Sequence, residues 1–265
     1  MSTERHLRGR RPVNLSAEKW RPPPLPGGDR GANWAARLRR FFDLQAGSIW
    51  NDLSTELAGA RGNVLDVGCG AQPMRSLLGP EANYLGIDTT DAAAHFGYQV
   101  PDTKYFAGDV WPVEDQWAEL LLCTETLEHV PHSATFLSEA FRCTKAGGKL
   151  LLTVPFAARW HFVPHDYWRF TPTSLIMLLG EAGFTDIAVY ARGNQYTVAS
   201  YKVMALILPL LFPQKTGTLA AVARRMVGVV LLPLLVLLAG IAHLSLRGNG
   251  GDDCLGYTVT ALRRD

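Results

Sequence analysis

Short apolar runs that end in small or acidic residues recur along the middle of the sequence, and their spacing constrains the fold most. The runs predict buried strands at GNVLDVG, NYLGID, TKYFAGD, AELLLCT and GKLLLTVPF, between residues 62 and 156. Helix-like segments separate or follow them, and one begins at Thr171 and Pro172 and stops at Gly183. The pattern predicts an α/β fold with a doubly wound, mostly parallel sheet, in which ligands collect at the carboxyl ends of the strands.

The length and charge of the chain favour one main domain with additions. At 265 residues and 48% hydrophobic, the chain can bury one sizeable core. Residues 1–32 are rich in Arg, Pro and Gly and predict a basic flexible tail, either a solvated linker or a strap that binds anionic lipid or a partner. The predicted enzyme domain covers 33–195, begins with one or two helices from Trp34, and is completed by a last strand in 248–265.

Charge and cysteine usage argue against several classes of protein. The net charge is +2, and the basic excess lies in the first 40 residues, so no nucleic-acid footprint is predicted. The cysteines, Cys69, Cys123, Cys143 and Cys254, contain no CxxC pair, which indicates neither a zinc knuckle nor disulfides. No metal site is predicted. The N-terminus has no apolar run of the secretory kind, so we expect a cytoplasmic protein.

The segment VLDVGCGAQP, residues 64–73, is predicted to follow a strand and to open a helix. Gly68 and Gly70 allow a tight turn and close approach of a ligand to main-chain N–H groups. The dinucleotide fingerprint would place a third glycine where this chain has Pro73, which argues against a nicotinamide cofactor.

Groups suited to a nucleoside follow the next strands. Asp88 is predicted to end the second strand, where its carboxylate would accept hydrogen bonds from both hydroxyls of a ribose. Asp109 is predicted to end the third strand, where it or the Val110 N–H would meet an adenine edge. The fourth strand runs into CTETLEHV, residues 123–130.

At these residues the chain resembles the class I S-adenosylmethionine-dependent methyltransferases, especially the branch with a DVGCG first motif and an E-x-L-E-H-V fourth motif. The resemblance covers about residues 60–192 and the last strand. It implies S-adenosylmethionine as cofactor and a Rossmann-like sheet of seven strands whose last strand is antiparallel. It also implies a set of cofactor-binding residues: Asp66, Gly68 and Gly70 at the methionine portion, Asp88 at the ribose, Asp109 and Val110 at the adenine, and Thr124 after the fourth strand. Two readings stay open, since Asp66 could instead orient the loop backbone and Glu128 could cap or pair.

The segment PFAARWHFVPHDYWRFTP, residues 155–172, leaves the fifth strand on the substrate side and holds the candidate catalytic residues His161, His165 and Asp166. A histidine beside a carboxylate is a plausible proton acceptor near neutral pH. The alternative is a hydrogen-bonded brace of His165, Asp166 and Arg169 under an aromatic lid. His129 is interpreted as a helix-start residue near the cofactor. The HDYWRFT run resembles one in bacterial methyltransferases of polysaccharide and glycolipid assembly.

A hydrophobic insertion, residues 196–247, separates the last two predicted strands, and it includes the uncharged stretch MVGVVLLPLLVLLAGIAHL at 226–244. A single membrane crossing would leave the final strand on the far side of the bilayer, unable to pair. The sequence therefore predicts an interfacial or re-entrant helical hairpin, broken near Pro209, Pro213 and Pro233. Basic residues suited to anionic headgroups flank it, namely Lys202, Lys215, Arg224, Arg225 and Arg247. The rival interpretation is a cap buried against the enzyme or in a dimer interface.

Together these features predict an enzyme that methylates a lipid-linked glycan, a glycolipid or a similar amphiphilic acceptor at the cytoplasmic face of a membrane. A small-molecule methyltransferase with a quinone or polyketide-like acceptor is the alternative within the enzyme class. A cofactor-binding scaffold without turnover is the alternative of another class.

Overall fold

Seven strands pair in one sheet within the part of the chain that the structure, a computed structural model, describes: residues 34–91, 94, 99–212 and 218–265. The strands are β1 (Gly62–Val67), β2 (Ala82–Thr89), β3 (Thr103–Phe106), β4 (Ala118–Thr124), β5 (Thr144–Pro155), β6 (Thr185–Ala191) and β7 (Gly256–Leu262). Their order is β3-β2-β1-β4-β5-β7-β6. β7 lies between β5 and β6 and is antiparallel to both, whereas β1 to β5 pair in parallel. The predicted fold class is confirmed.

Helices cover both faces of the sheet. They are α1 (Trp34–Phe42), α2 (Leu44–Ala58), α3 (Ser133–Cys143), α4 (Pro172–Glu181), α5 (Gln195–Leu211), α6 (Thr218–Val230) and α7 (Leu232–Ser245). α4 starts as the sequence predicts, because the Thr171 hydroxyl accepts a hydrogen bond from the Ser174 N–H and Pro172 occupies the first turn. Gly183 follows the helix with φ of 106°, a conformation that favours glycine.

Alternate side chains of the central strands divide the core between the two faces. Leu121 of β4 and Leu150 of β5 face α3 and α4, where they join Leu137 and Leu175. The intervening residues, among them Leu122, point the other way and pack against Leu53 and Leu57 of α2. This two-sided burial explains why the central strands read as continuous apolar runs.

Two local predictions are wrong in detail. No α-helix opens after the DVGCG segment, where the described backbone forms turns and a short 3₁₀ helix at Arg75–Leu77. Gln72, in a left-handed conformation with φ of 55°, interrupts the helical path just before Pro73. β3 ends at Phe106, and Asp109 lies in the loop beyond it, because Gly108 with φ of 85° breaks the extended backbone.

The hydrophobic insertion forms three helices, α5 to α7, between β6 and β7. α7 packs on α5 and on the start of α2 through a third core that includes Leu44, Met204, Leu235 and Ala239. This core connects the insertion to the rest of the chain. The domain limits given above stay a prediction.

The stretch 226–244 is divided between α6 and α7 rather than forming one helix. The break lies at Leu231, just before Pro233, while Pro209 lies inside α5, which continues to Leu211. Within the described residues no single helix has both the length and the hydropathy of a membrane span; Leu219–Val230 and Leu232–Ser245 pass that test only as a pair, bent by 51°. The predicted tail, Pro213 and Lys215 lie outside the described residues.

Candidate active site

The loop after β1 contacts the segment after β4 at the carboxyl end of the sheet. Gly68 has φ of 67°, and a Cβ at this position would collide with the Thr126 side chain. The Thr126 hydroxyl oxygen lies 3.0 Å from the Thr124 carbonyl oxygen and 3.5 Å from that of Gly68. Gly70, with φ of 52°, completes the turn. Glycine at position 68 is therefore required both by the backbone conformation and by the close approach of the two segments.

Asp88 holds the end of β2 against this loop. One carboxylate oxygen accepts a hydrogen bond from the Gly70 N–H at 2.9 Å, and the other accepts one from the Thr89 N–H at 2.7 Å. Each oxygen keeps a second lone pair, so the carboxylate fits the two hydroxyls of a ribose. Burial raises the pKa of Asp88, although both backbone hydrogen bonds oppose the shift.

Asp66 is buried in β1, and only one of its two carboxylate oxygens has a hydrogen-bond partner among the described residues. Its Oδ2 accepts a hydrogen bond from the Tyr84 hydroxyl at 2.8 Å, and Oδ1 has no hydrogen-bond partner among the described residues. Burial raises the pKa of Asp66 to about 7, the Tyr84 hydrogen bond lowers it, and the nearby Asp88 raises it further. An unsatisfied buried acceptor at the crevice fits a cationic donor, such as the ammonium group of the methionine portion of S-adenosylmethionine.

The remaining predicted cofactor residues lie at the open edge of the same crevice. Thr124 is the last residue of β4, and Asp109 and Val110 are exposed in the loop after β3, with Val110 74% exposed. Their contacts with a cofactor stay a prediction.

A partly buried ion pair that the sequence did not reveal joins the end of β4 to the segment after β6. Arg192, after β6, donates to Glu125 Oε1 at 2.8 Å and to the Val154 carbonyl oxygen at 3.1 Å. The Arg192 side chain is 1% exposed, and Glu125 has φ of 49° at the turn after β4. No local signal could have paired these residues, because the sheet order alone brings them together.

The predicted catalytic residues lie on the loop after β5 but not in one group. Asp166 accepts two hydrogen bonds from Arg169, at 2.6 and 2.9 Å, and one from the His161 N–H at 3.1 Å. Burial raises the pKa of Asp166, but the Arg169 guanidinium outweighs burial and holds the pKa below its usual range. His165 points elsewhere, with its Nδ1 3.2 Å from the Tyr167 hydroxyl.

His161 instead meets two residues of the E-x-L-E-H-V motif. Its Nε2 lies 3.1 Å from Nε2 of His129 and 3.7 Å from Oε1 of Glu128. Glu128 is fully buried, and burial raises its pKa to about 7. Burial lowers the pKa of His129 to about 4; for His161 the attraction of Glu128 outweighs burial and raises the pKa. Sequence reasoning considered only capping or pairing for Glu128 and did not place His129 and His161 together.

Comparison with known proteins agrees with this geometry. A sequence profile described as a methyltransferase domain matches residues 30–189, more than half of the chain. A ubiquinone biosynthesis O-methyltransferase of Dechloromonas aromatica is 31% identical over 113 residues, which cover 39% of this chain and 48% of the relative. A trans-aconitate 2-methyltransferase of Methylobacterium nodulans is 29% identical over 130 residues, which cover 47% of this chain and 50% of the relative. The chain therefore spans about half the length of these two curated relatives.

Among solved structures, a SAM-dependent methyltransferase from Archaeoglobus fulgidus aligns with a TM-score of 0.51 at 15% identity, over 87% of this chain and 100% of that one. At this identity the likeness concerns the fold. The sheet order, the glycine turn after β1 and the acid near the end of β2 agree with the profile match. The chain therefore belongs to the methyltransferase domain family, with the class I fold and S-adenosylmethionine as its cofactor.

Proposed function

We propose that this protein transfers a methyl group from S-adenosylmethionine to an oxygen of an amphiphilic acceptor at the cytoplasmic face of a membrane. The observation that carries the proposal is the direct connection between the insertion and the loop after β5, residues 156–171, which we call the acceptor-side loop. Lys202 of α5 donates to the Ala157 carbonyl oxygen at 2.6 Å, and Arg159 donates to the Ala205 carbonyl oxygen at 3.0 Å. An acceptor whose apolar part rests on the insertion would thus have its polar end near this loop.

The insertion exposes far more apolar surface than a solvated helical layer needs. On α6, Leu219 is 86% exposed and Val230 is 74% exposed. Other exposed apolar side chains on α6 and α7 are Val222, Met226, Val227, Val229, Leu232, Leu234, Val236, Leu237, Ile241 and Leu244. A surface of this kind is typical of a contact with lipid or with another protein.

Charge favours lipid as the contact. Between Asp186 and Asp252 the sequence has no acidic residue, while Arg224, Arg225 and Arg247 are exposed around the apolar side chains. Basic side chains next to apolar ones suit the anionic headgroups of a cytoplasmic leaflet. Trp160 and Trp168, 55% and 44% exposed on the acceptor-side loop, are of a type enriched at such interfaces.

Each part of the site has a definable task in this reaction. When bound, the cofactor supplies an electrophilic methyl group on a sulfonium. Asp88 accepts the ribose hydroxyls, and Asp66 accepts from the ammonium group. The acceptor-side loop excludes water, and its histidines His161 and His165 are the candidates for receiving the acceptor's proton. Asp166, fixed by Arg169, orients the backbone of His161.

Two kinds of amphiphilic acceptor fit this site. The HDYWRFT resemblance favours a lipid-linked glycan or glycolipid. The relative named as a ubiquinone biosynthesis O-methyltransferase favours a phenol with an isoprenoid tail. Incubating the protein with labelled cofactor and total membrane lipid, then identifying the labelled product by mass spectrometry, distinguishes them. Retention of the cofactor with no release of S-adenosylhomocysteine would support the scaffold alternative and contradict turnover.

Membrane binding is tested by sedimentation with vesicles that contain anionic phospholipid. We expect the wild-type chain to sediment with them. A variant with both Leu219→Glu and Val230→Glu should lose about 100-fold or more of its affinity, since each side chain contributes on the order of 1.5 kcal/mol or more. The control carries Ile176→Glu and Tyr190→Glu, at exposed apolar positions outside the insertion.

A wild-type chain that stays in solution would contradict the membrane role. If the same chain were a dimer that the Leu219→Glu and Val230→Glu variant dissociates, the apolar surface would be a dimer interface instead.

A further inference from the structure

We propose that Glu128, His129 and His161 form a binding site for a divalent transition-metal ion of the zinc type. His129 and Glu128 adjoin Thr126, which contacts Gly68, so the site lies beside the cofactor crevice. The site shares His161 with the methyl-transfer proposal, and a metal ion on His161 Nε2 leaves His165 as the candidate proton acceptor. It departs from the sequence-based expectation that the chain has no metal site. Its strength rests on three observations: the spacing of the ligand atoms, the orientation of the two imidazole rings, and an unsatisfied buried carboxylate.

The three ligand atoms are spaced as a metal ion would hold them. The Nε2 atoms of the two histidines are 3.1 Å apart, and Oε1 of Glu128 lies 3.6 Å from His129 Nε2 and 3.7 Å from His161 Nε2. Zinc bonds of about 2.0–2.1 Å at tetrahedral angles place ligand atoms about 3.3–3.4 Å apart. The triangle therefore encloses a point at bonding distance from all three atoms.

The hydrogen bonds of both imidazole rings keep their Nε2 atoms available for a metal ion. Nδ1 of His129 is 2.8 Å from the His165 carbonyl oxygen, and Nδ1 of His161 is 3.1 Å from that of Arg159. A carbonyl oxygen only accepts, so each Nδ1 carries the proton and each neutral ring leaves Nε2 unprotonated. Metal-binding histidines are typically oriented by this hydrogen bond from the second ring nitrogen.

Glu128 supplies the unsatisfied group. The residue is 0% exposed, and neither carboxylate oxygen has a hydrogen-bond partner within the described part of the chain. A buried carboxylate without partners is costly unless a cation or a proton accompanies it. A proton shared between the two Nε2 atoms would explain their approach but would leave both carboxylate oxygens without a donor. A metal ion would bind Oε1 of Glu128 and both Nε2 atoms at once.

The surrounding backbone holds the ligands in place. Glu128 and His129 belong to a 3₁₀ helix, Leu127–His129, and the Glu128 carbonyl oxygen accepts hydrogen bonds from the Tyr167 and Trp168 N–H groups at 3.0 and 3.2 Å. The loop that carries His161 is thus fixed to the turn that carries the other ligands. Three protein ligands leave a coordination position open, and it would take water or an anionic oxygen.

The test uses full-length protein stripped with a chelator and titrated with Zn²⁺ by calorimetry. We expect one ion per chain, and a loss of affinity of about 100-fold or more in Glu128→Gln and in His161→Asn. His132→Asn is the matched control, since His132 is an exposed histidine close in sequence but outside the cluster. Circular dichroism and cofactor affinity establish that each variant is folded.

X-ray absorption at the zinc edge of the wild-type complex gives a readout that needs no variant. Imidazole and oxygen ligands would support the site, whereas sulfur ligands would assign the ion to the cysteines and overturn the proposal. Failure of the wild-type chain to bind Zn²⁺, or undiminished binding by both ligand variants, would also overturn it. None of these results depends on the identity of the methyl acceptor.

Discussion

At the scale of single residues, the crevice depends on one glycine and two buried acids. Gly68 allows the loop after β1 to touch Thr126. Asp66 and Asp88 are acids kept in poorly solvated surroundings, so their ionisation is connected to stability.

Replacing Gly68 by Ala should weaken cofactor binding as well as folding. Any side chain at φ of 67° costs about 1–2 kcal/mol, and the collision with Thr126 adds an overpacking cost of about 1–3 kcal/mol. Gly147→Ala is the control, because Gly147 has φ of 75° with nothing within 4 Å of the added Cβ. We expect both variants to lower the free energy of unfolding, and only Gly68→Ala to weaken S-adenosylmethionine binding in calorimetry. Equal affinity in the two variants would refute the role of the contact.

Asp66 should make the protein less stable as pH rises. Its pKa is raised to about 7 in the folded chain, above the unfolded value near 4, so the folded state binds the proton more tightly. The associated stability is present below pH 4 and is lost as pH rises through about 7. Between pH 5 and 8 we expect the free energy of urea unfolding to fall by less in Asp66→Asn than in wild type, with a difference of on the order of 2 kcal/mol. Parallel pH profiles of the two proteins would contradict the raised pKa.

At the scale of elements, the strand ends are joined by contacts between distant parts of the chain. Arg192 fixes the segment after β6 to Glu125 at the end of β4 and to Val154 of β5. It lies three residues before α5, where the sheet passes into the helical insertion.

Arg192→Met should be destabilising. Glu125 keeps partial access to water, at 25% side-chain exposure, so we expect a loss of about 1–3 kcal/mol, the cost of leaving a partly buried carboxylate and the Val154 carbonyl oxygen without their donor. Arg264→Met is the control, since Arg264 pairs with Asp186 at the surface, where such pairs contribute about 0–1 kcal/mol. Urea unfolding of both variants measures the difference. If both variants lost a similar amount of unfolding free energy, the Arg192 pair would contribute no more than a surface pair.

At the scale of the whole molecule, the insertion has one side buried against the sheet domain and one side exposed. Its inner side, including Leu235 and Ala239, completes a core with Leu44 and Leu255. Its outer side leaves apolar residues of α6 and α7 uncovered. Deleting the insertion would therefore expose a core as well as remove a membrane contact. Substitutions on the outer side alone, such as those at Leu219 and Val230, separate the two effects.

The sequence by itself determined the sheet, the glycine turn and the place of the hydrophobic insertion before β7, because strand burial and turn chemistry depend on local apolar runs and glycines. It predicted a helical hairpin for that insertion, where the structure has three helices. It missed the end of β3 and predicted a helix after β1, since Gly108 and Gln72 act through backbone dihedral angles that composition does not specify. Only the tertiary structure brought Glu128 and His129 to His161, and Arg192 to Glu125. Pairings between distant residues depend on strand order and on which side chains share a buried volume, and neither is a local property of the chain.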